Sequence, residues 1–253
     1  MKKIRLLLAY DGTSFKGWQS QPCGNTVQDR LEKAVLEITG NRVRVHGSGR
    51  TDTGVHALGQ VAHFELPENN RMDAGEWQRA LNASLPSSVR ILRAEPAAED
   101  FHARFSALGK TYLYEIDCGA VFHPLRCGRA WHHPGPLDSE RLKAACALYS
   151  GEHDFTAFAA NRSGDQEEHD MTRVITMADV SAHSGKVVIT FSGNGFLYKM
   201  VRLLVGGAVR VAEQRQSLDW IRDLLARPGH TKCQYCAPAA GLYLKEVEYP
   251  VSA

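Results

Sequence analysis

Five polar side chains with different chemistry lie within seven residues of the chain, between positions 50 and 56. They are a cation, two hydroxyls, a carboxylate and an imidazole, contributed by Arg50, Thr51, Thr53, Asp52 and His56. Such a carboxylate can act as a nucleophile, and functional groups often sit on loops that a rigid scaffold holds. The local pattern alone favours a structural turn for Asp52, because Asp side chains commonly hydrogen-bond to nearby backbone.

Two β-strands must hold this loop. Alternating apolar and polar residues predict strands at about 43–48 and 59–65, with Asp52 at the centre of the connection. The connection is longer than a minimal hairpin and rich in glycine, so its backbone can take conformations that are closed to other residues. The sequence therefore predicts a shaped polar loop between paired strands.

The order of elements predicts an α+β fold made of two similar halves. The first half reads β-α-β-β-α-β, and the second repeats this order with one extra helix. An acidic segment predicts a boundary near residue 98, which gives domains 1–98 and 99–253. Each half matches the ferredoxin-like split βαβ pattern, and sheets of this type bind RNA in several known modules. Fold alone does not establish that use.

Helix boundaries follow from capping residues and glycines. Asn25 is predicted to cap a first helix that Gly40 ends, and Asp73 to cap a second. A later helix at 196–212 contains Gly206 and Gly207, which predict close approach of another backbone or of a phosphate. One face of this helix is basic and contains Lys199, Arg202 and Arg210.

Composition describes an ordinary soluble globular protein. The chain has 253 residues, of which 43% are hydrophobic and 23% charged. The longest apolar runs are too short for a membrane span, and the N-terminal residues read as a first strand rather than a signal peptide. The net charge of +2 means that any basic surface for binding nucleic acid must be confined to one part of the protein. Six scattered cysteines predict reduced thiols and a cytoplasmic location.

The sequence contains no complete metal-binding or nucleotide-binding motif. Cys233 and Cys236 have C-x-x-C spacing with His230 nearby, but no clear fourth zinc ligand follows. The residues show no P-loop, no dinucleotide-binding glycine motif that opens a helix and no serine-nucleophile elbow. Three histidines near the Asp52 loop read as hydrogen-bonded structural residues: His46, His56 and His63. The run at 165–170 reads as a solvated loop.

Seven longer segments occur in order along nearly the whole chain. They are Y-D-G-T-S-F-K-G-W-Q-S-Q (10–21), T-V-Q-D-R-L-E-K-A (26–34), G-R-T-D-T-G-V-H-A-L-G-Q-V-A-H-F (49–64), F-H-A-R-F-S-A-L-G-K-T-Y-L-Y (101–114), G-E-H-D-F-T-A-F (151–158), G-F-L-Y-K-M-V-R-L-L-V-G (195–206) and A-P-A-A-G-L-Y-L-K-E-V-E-Y (237–249). Together they resemble the tRNA pseudouridine synthase A family. Chance agreement across seven ordered segments is implausible.

The resemblance implies a fold, a reaction and partners. The fold is two ferredoxin-like halves that share a largely antiparallel sheet, with a central active-site cleft. The reaction isomerises uridine to pseudouridine on the 3′ side of the tRNA anticodon stem-loop, at tRNA positions 38 to 40. The enzymes work as homodimers without a cofactor or metal. A closed, dry pocket is needed because hydrolysis of the broken glycosidic bond must be suppressed.

The resemblance also assigns roles to residues. Asp52 matches the invariant catalytic aspartate, Tyr112 the active-site tyrosine and Arg202 the arginine that pairs with the aspartate. Arg50 matches the arginine beside the aspartate, which helps to extrude the nucleotide or holds its vacated place, a role of the kind that base-flipping enzymes require. Lys199 stands where the family often has His or Asn, and it is a candidate phosphate contact together with Arg126 and Arg129. The Cys233–Cys236 segment also departs from the family pattern, which raises the odds of a redox-sensitive or metal-bound loop.

Two other functions are compatible with parts of the sequence. A glycoside hydrolase needs a second carboxylate opposite Asp52, and the loop supplies none. A non-catalytic RNA-binding protein of ferredoxin-like fold would retain its function without Asp52. Tritium release from the uracil C5 of tRNA separates the isomerase from both alternatives.

Overall fold

The computed structural model describes residues 2–67, 70–160 and 170–250, which form a mixed α/β fold with mostly antiparallel strands and five α-helices. The helices are α1 (Val27–Thr39), α2 (Ala74–Ser84), α3 (Ser139–Ala147), α4 (Met200–Ala212) and α5 (Leu218–Ala226). The strands are β1 (Lys2–Tyr10), β2 (His46–Gly47), β3 (His56–Leu66), β4 (Val89–Ala97), β5 (Gly109–Asp117), β6 (Trp131–His132), β7 (Gly151–Asp154), β8 (Thr172–His183), β9 (Lys186–Gly193) and β10 (Leu242–Glu248). No helix among these described residues is long and apolar enough to cross a membrane.

The chain divides into two compact units. The first spans Met1–Leu108 together with Tyr243–Ala253, and the second spans Gly109–Leu242. The C-terminal segment belongs to the first unit because β10 pairs with β3 and because the amide of Leu108 donates to the carbonyl of Glu248 (2.9 Å). The domains 1–98 and 99–253 expected from the sequence stay a prediction.

In the first unit the strand order is β4-β1-β3-β10, with the two-residue β2 beside β3. β1 is antiparallel to both neighbours, whereas β10 runs parallel to β3. Ile4, Leu6 and Leu8 alternate with more exposed residues along β1, so one face of the sheet is buried. The amphipathic α1 and α2 bury their apolar sides, and Trp77 of α2 packs edge-on against the Phe64 ring of β3 (5.2 Å).

The predicted first helix is confirmed, but its cap is Thr26 rather than Asn25. The Thr26 hydroxyl accepts a hydrogen bond from the Asp29 amide, and the Asp29 carboxylate accepts one from the Thr26 amide, which forms a capping box. Asn25 forms a different hydrogen bond, in which its side-chain amide donates to the carbonyl of Ser14 (2.9 Å). The Asp73 cap of α2 and the stop at Gly40, with φ of +72°, are as predicted.

The strands around the Asp52 loop differ in length from the prediction. The first is only His46–Gly47, because side chains of α1 bond the backbone of Val45: Glu32 accepts from its amide (3.0 Å) and Gln28 donates to its carbonyl (3.1 Å). The second is longer than predicted and begins at His56. The connection between the two strands is therefore shorter than the sequence predicted.

In the second unit the strand order is β5-β9-β8-β7, with β6 running parallel beside β5. A turn at Ser184–Gly185 joins β8 to β9, and both of its residues have positive φ. The structure adds the short strands β6 and β7 to the predicted order of elements. Of the run at 165–170, all but Asp170 lie outside the described residues.

The predicted helix at 196–212 begins four residues late, at Met200. Lys199 has a φ of +59°, a left-handed conformation that cannot continue a right-handed helix. The turn before it is held by a hydrogen bond from the amide of Ala160 to the carbonyl of Tyr198 (3.1 Å). After α4, the Ser217 side chain caps α5, and in the preceding part of the unit the Asp138 side chain caps α3.

Candidate active site

The Asp52 loop packs against the segment that follows β1. The amide of Trp18 donates to the carbonyl of Thr51 (3.0 Å), one residue before Asp52. Gly17 has a φ of +88°, and a Cβ there would come within 2.5 Å of the Thr51 oxygen. Only glycine fits this close approach of two backbones, so the sequence at 17–18 helps to position Asp52.

Buried polar side chains hold the loop from behind. The Tyr10 hydroxyl and the Thr51 Oγ1 are hydrogen-bonded at 2.8 Å. The Gln60 side chain accepts from the Ser48 hydroxyl (2.6 Å) and donates to the carbonyl of Gly49 (3.1 Å). Burial raises the pKa of Tyr10 to about 12, which keeps this phenol neutral at physiological pH.

Sequence reasoning did not identify Gln60, Ser48 and Tyr10 as part of the site. The detectable feature was Gln60, a polar residue within an apolar strand segment that the structure buries fully. Buried amides need complete hydrogen bonding, so such a residue indicates a fixed polar partner nearby. Here that partner is the loop containing Asp52.

Asp52 and Arg50 lie on the outer part of this loop. Asp52 is partly exposed, and its carbonyl accepts from the amide of Val55 (3.1 Å), which closes the turn. Arg50 is exposed, and its Nε donates to the Gln19 side chain (3.0 Å). Gln19 in turn donates to Gln28 of α1 (2.9 Å). The guanidinium is thus linked to α1 through two glutamines.

Two of the three histidines near the loop, His56 and His63, have structural hydrogen bonds, as predicted. His56 Nδ1 accepts from the amide of Gly12 (3.1 Å), and its ring stacks on Tyr243 (4.7 Å). His63 Nδ1 accepts from the amide of Ala103 (3.1 Å). Burial, together with the nearby positive groups, lowers the pKa of His63 to about 4, so its ring is neutral at pH 7.

Tyr112 and Tyr114 share one face of β5 in the second unit. Tyr112 is 8% exposed, and its ring meets the Phe196 ring edge-on at 5.1 Å. The Tyr114 hydroxyl donates to the carbonyl of Pro238 (2.7 Å). Burial raises the pKa of Tyr114 well above its usual value, against a smaller opposing effect of the Arg202 charge.

Arg202 is fixed between α4 and the segment before β10. Its Nε donates to the carbonyl of Ala237 (2.7 Å), and the Ala237 amide donates back to the carbonyl of Arg202 (3.0 Å). One turn further along α4, a Cβ on Gly206 would come within 1.8 Å of the Tyr235 oxygen. The predicted close approach at Gly206 is therefore confirmed, and the approaching group is backbone.

The candidate phosphate contacts have different surroundings. Lys199 precedes α4, with its amine 5.2 Å from the centre of the Tyr198 ring. Arg126 pairs with two carboxylates, those of Glu115 (2.8 Å) and Asp117 (3.0 Å), which neutralise its charge. Arg129 is exposed. Phosphate binding by these cations stays a prediction.

The cysteine pair does not form a metal cluster with other residues. Cys233 is buried, its thiol donates to the carbonyl of Leu203 (3.5 Å), and burial raises its pKa to about 11. Cys236 is exposed, and neither cysteine forms a disulfide. Within the described ranges, no group of three or more His, Cys, Asp or Glu residues could hold a metal ion.

The predicted site residues are divided between the two units. Arg50 and Asp52 belong to the first unit, and Tyr112, Lys199 and Arg202 belong to the second. Asp52 lies on the loop before β3 in the first unit, and Tyr112 and Arg202 lie on β5 and α4 in the second. The predicted pairing of Asp52 with Arg202 stays a prediction.

Comparison with known proteins identifies the family. A family model described as tRNA pseudouridine synthase matches residues 7–106 and 145–250. A tRNA pseudouridine synthase A of Akkermansia muciniphila is 47% identical over 254 residues, covering 99% of this chain and 96% of the relative. The protein of the same name from Latilactobacillus sakei is 42% identical, covering 98% of this chain and 99% of the relative. The chain belongs to the tRNA pseudouridine synthase family and is an isomerase that acts on uridine in tRNA.

Proposed function

We propose that this enzyme isomerises uridines in the anticodon stem-loop of tRNA, at positions 38 to 40, with Asp52 as the catalytic carboxylate. One observation carries the assignment of Asp52. The backbone beside it is fixed by the Trp18 amide, and the loop is bonded from behind by Tyr10 and Gln60, while the residue itself stays partly exposed. A carboxylate held in this way is preorganised for chemistry on a bound nucleotide.

The reaction conserves the composition of the uridine while one hydrogen exchanges with water. The C1′–N1 bond breaks, the uracil turns, C5 bonds to C1′ and the proton on C5 is lost to water while N1 gains one. Asp52 acts as an ionised carboxylate, either by adding to C1′ or by removing a sugar proton. Both routes need the pocket to exclude water until the new bond forms.

Tyr112 and Arg202 are proposed to complete the site. The ring of Tyr112 stacks on the uracil, and its hydroxyl assists proton transfer at C5. Arg202, whose Nε donates to the carbonyl of Ala237, pairs with Asp52 and orients its carboxylate. Arg50 occupies the place of the extruded nucleotide, and Lys199 binds phosphate. The proposed mechanism uses no cofactor or metal.

The arrangement of the two halves, the oligomeric state and the cellular location are also proposals. We propose two ferredoxin-like halves that share a sheet with a central active-site cleft, and a homodimer that works in the cytoplasm. The family resemblance supports this arrangement. In each unit four main strands and one two-residue strand, mostly antiparallel and accompanied by helices, are compatible with it.

Tritium release tests the proposal directly. Purified enzyme is incubated with tRNA that carries tritium at uracil C5, and the modified positions are then mapped by sequencing. We expect release from the wild type, loss of release in Asp52→Asn and Asp52→Ala, and normal release in Asp219→Asn, a control at an exposed carboxylate of α5. Binding of tRNA without any release would support the non-catalytic alternative. Modification only outside positions 38 to 40 would overturn the assigned substrate site.

A further inference from the structure

A rigid turn at residues 102–106 follows the first unit's β4. His102 Nδ1 accepts from the amides of Arg104 (3.1 Å) and Phe105 (3.3 Å). The amide of Ser106 donates to the carbonyl of His102 (2.9 Å), and the Ser106 hydroxyl accepts from the His102 amide (3.0 Å). The fully buried Ala103 anchors the turn, since its amide bonds His63 and its carbonyl accepts from the Tyr249 hydroxyl. The turn therefore has little conformational freedom.

This turn presents a large apolar ring to solvent. Phe105 is 75% exposed, although burying a phenylalanine normally stabilises a protein. The His102 ring stacks beneath Phe105 (4.4 Å, 30° between planes), and the Arg104 guanidinium lies 5.5 Å from the centre of the Phe105 ring. We call these three residues the Phe105 platform.

Further rings support the platform from within the first unit. His102 meets His63 edge-on at 4.7 Å, and His63 stacks on His46 at 5.1 Å. Burial and neighbouring positive groups lower the pKa values of His63 and His102, so both rings are uncharged at pH 7. A neutral His102 keeps Nδ1 free to accept the two amides of the turn, which maintains the position of Phe105.

The chemistry of the platform fits a nucleobase. An exposed aromatic face beside an arginine is the combination that binds single-stranded nucleic acid, because the ring stacks on a base and the cation contacts the backbone. The turn is rigid before binding, so little conformational entropy is lost when a base stacks. An apolar protein partner would not require a cation over the ring.

We propose that the Phe105 platform is an RNA contact of this enzyme, on which an unpaired base of the tRNA stacks while Arg104 binds an adjacent phosphate. This proposal rests on the proposed function, because the RNA that binds the platform is the tRNA substrate. The platform strengthens tRNA binding and takes no part in bond breaking. Its contribution therefore enters KM and the dissociation constant rather than the single-turnover rate at saturation.

The test compares Phe105→Ala, Phe105→Trp and the control Leu92→Ala, which truncates another exposed apolar residue of the same unit, 47% exposed. Filter binding to unlabelled tRNA is measured alongside tritium release. We expect Phe105→Ala to weaken binding and raise KM about 5- to 100-fold, with an unchanged single-turnover rate at saturating tRNA. Phe105→Trp should bind like the wild type, and Leu92→Ala should match it in both measurements.

Arg104→Gln provides a second test. Loss of one phosphate contact should reduce the slope of log binding constant against log salt concentration by about 0.7 to 0.9. Unchanged tRNA binding by Phe105→Ala would contradict the proposed role of the platform in RNA binding. A change in the single-turnover rate alone would contradict it as well. Dissociation of a dimer by Phe105→Ala without weaker RNA binding would assign the surface to a second copy instead. Binding is a readout separate from turnover, so absent tritium release would refute the proposed function alone.

Discussion

Gly206 of α4 lies directly against the backbone of Tyr235, where a Cβ would come within 1.8 Å of the carbonyl oxygen. The segment that Gly206 contacts goes on to provide the carbonyl of Ala237 to Arg202 and that of Pro238 to Tyr114. The close packing of helix and segment thus sets the position of two side chains. Gly206, which has no side chain, is therefore important for placing a proposed catalytic arginine.

We expect Gly206→Ala to lower both stability and activity. The added methyl group meets a backbone atom that cannot move alone, so the free energy of unfolding should fall by about 3 kcal/mol. The displaced segment should also shift Arg202 and reduce the rate of tritium release. Gly207→Ala is the control, because its Cβ would lie 3.0 Å from the Tyr149 hydroxyl, a side-chain atom. Urea unfolding that gives equal losses for both variants would contradict the prediction.

Gln60→Met tests the polar support behind the Asp52 loop. The replacement has a similar shape but leaves the Ser48 hydroxyl and the Gly49 carbonyl without this partner. Unsatisfied buried groups cost about 1–3 kcal/mol each, so we expect a loss of about 2–4 kcal/mol in urea unfolding. The single-turnover rate should fall more than tRNA affinity, because the loop positions Asp52.

Gln78→Met is the matched control for Gln60→Met. Gln78 donates to carbonyls of β4 from a partly exposed site on α2. Its loss should cost about 1 kcal/mol or less and leave tritium release unchanged. If the two variants had the same activity, the Gln60 side chain would have no role in holding the Asp52 loop.

Stability should fall as pH decreases from about 6.5 to 4. The pKa of His63 is lowered to about 4 in the folded state, so between these values the unfolded chain binds a proton that the folded chain excludes. The folded state therefore loses roughly 1 kcal/mol per pH unit in this window, and above pH 6.5 the effect is absent. The lowered pKa of His102 acts in the same direction.

Urea unfolding at pH 7.5, 6 and 5 measures this dependence. In His63→Asn, where an amide oxygen can still accept from Ala103, the titrating group is absent and the slope should be shallower than in the wild type. His183→Asn, at an exposed position near the end of β8, should keep the wild-type slope. A wild-type stability that is constant across this range would contradict the lowered pKa values.

Most helices could be predicted from local sequence because their ends depend on short-range chemistry. The Asp73 cap and the Gly40 stop involve only residues within one turn of the helix. The boundaries that failed depend on distant partners. Val45 is excluded from β2 by the side chains of Gln28 and Glu32, and periodicity within a strand contains no information about them.

The candidate site shows the same limit. The chemistry of Asp52 was visible in the sequence, but its local pattern favoured a turn, and only the ordered motifs of the family indicated catalysis. The residues that hold the loop, such as Gln60, lie on neighbouring strands. Which of their side chains reach the loop depends on how the strands pair, so their role became visible only in the structure. The mid-helix glycine was predictable as a close approach, although its partner Tyr235 was not.

Tyr112→Phe separates stacking from proton transfer in the proposed site. The ring and its contact with Phe196 are retained, so the variant should fold with stability within about 1 kcal/mol of the wild type and bind tRNA normally. Loss of the hydroxyl should lower the single-turnover rate of tritium release about 100-fold, the lower end of general acid–base contributions. Tyr149→Phe is the control: it removes a buried hydroxyl that donates to the Leu204 carbonyl (3.2 Å), so stability should fall while the rate is unchanged. A Tyr112→Phe rate within twofold of the wild type would leave Tyr112 with a stacking role alone and assign the C5 proton to another group.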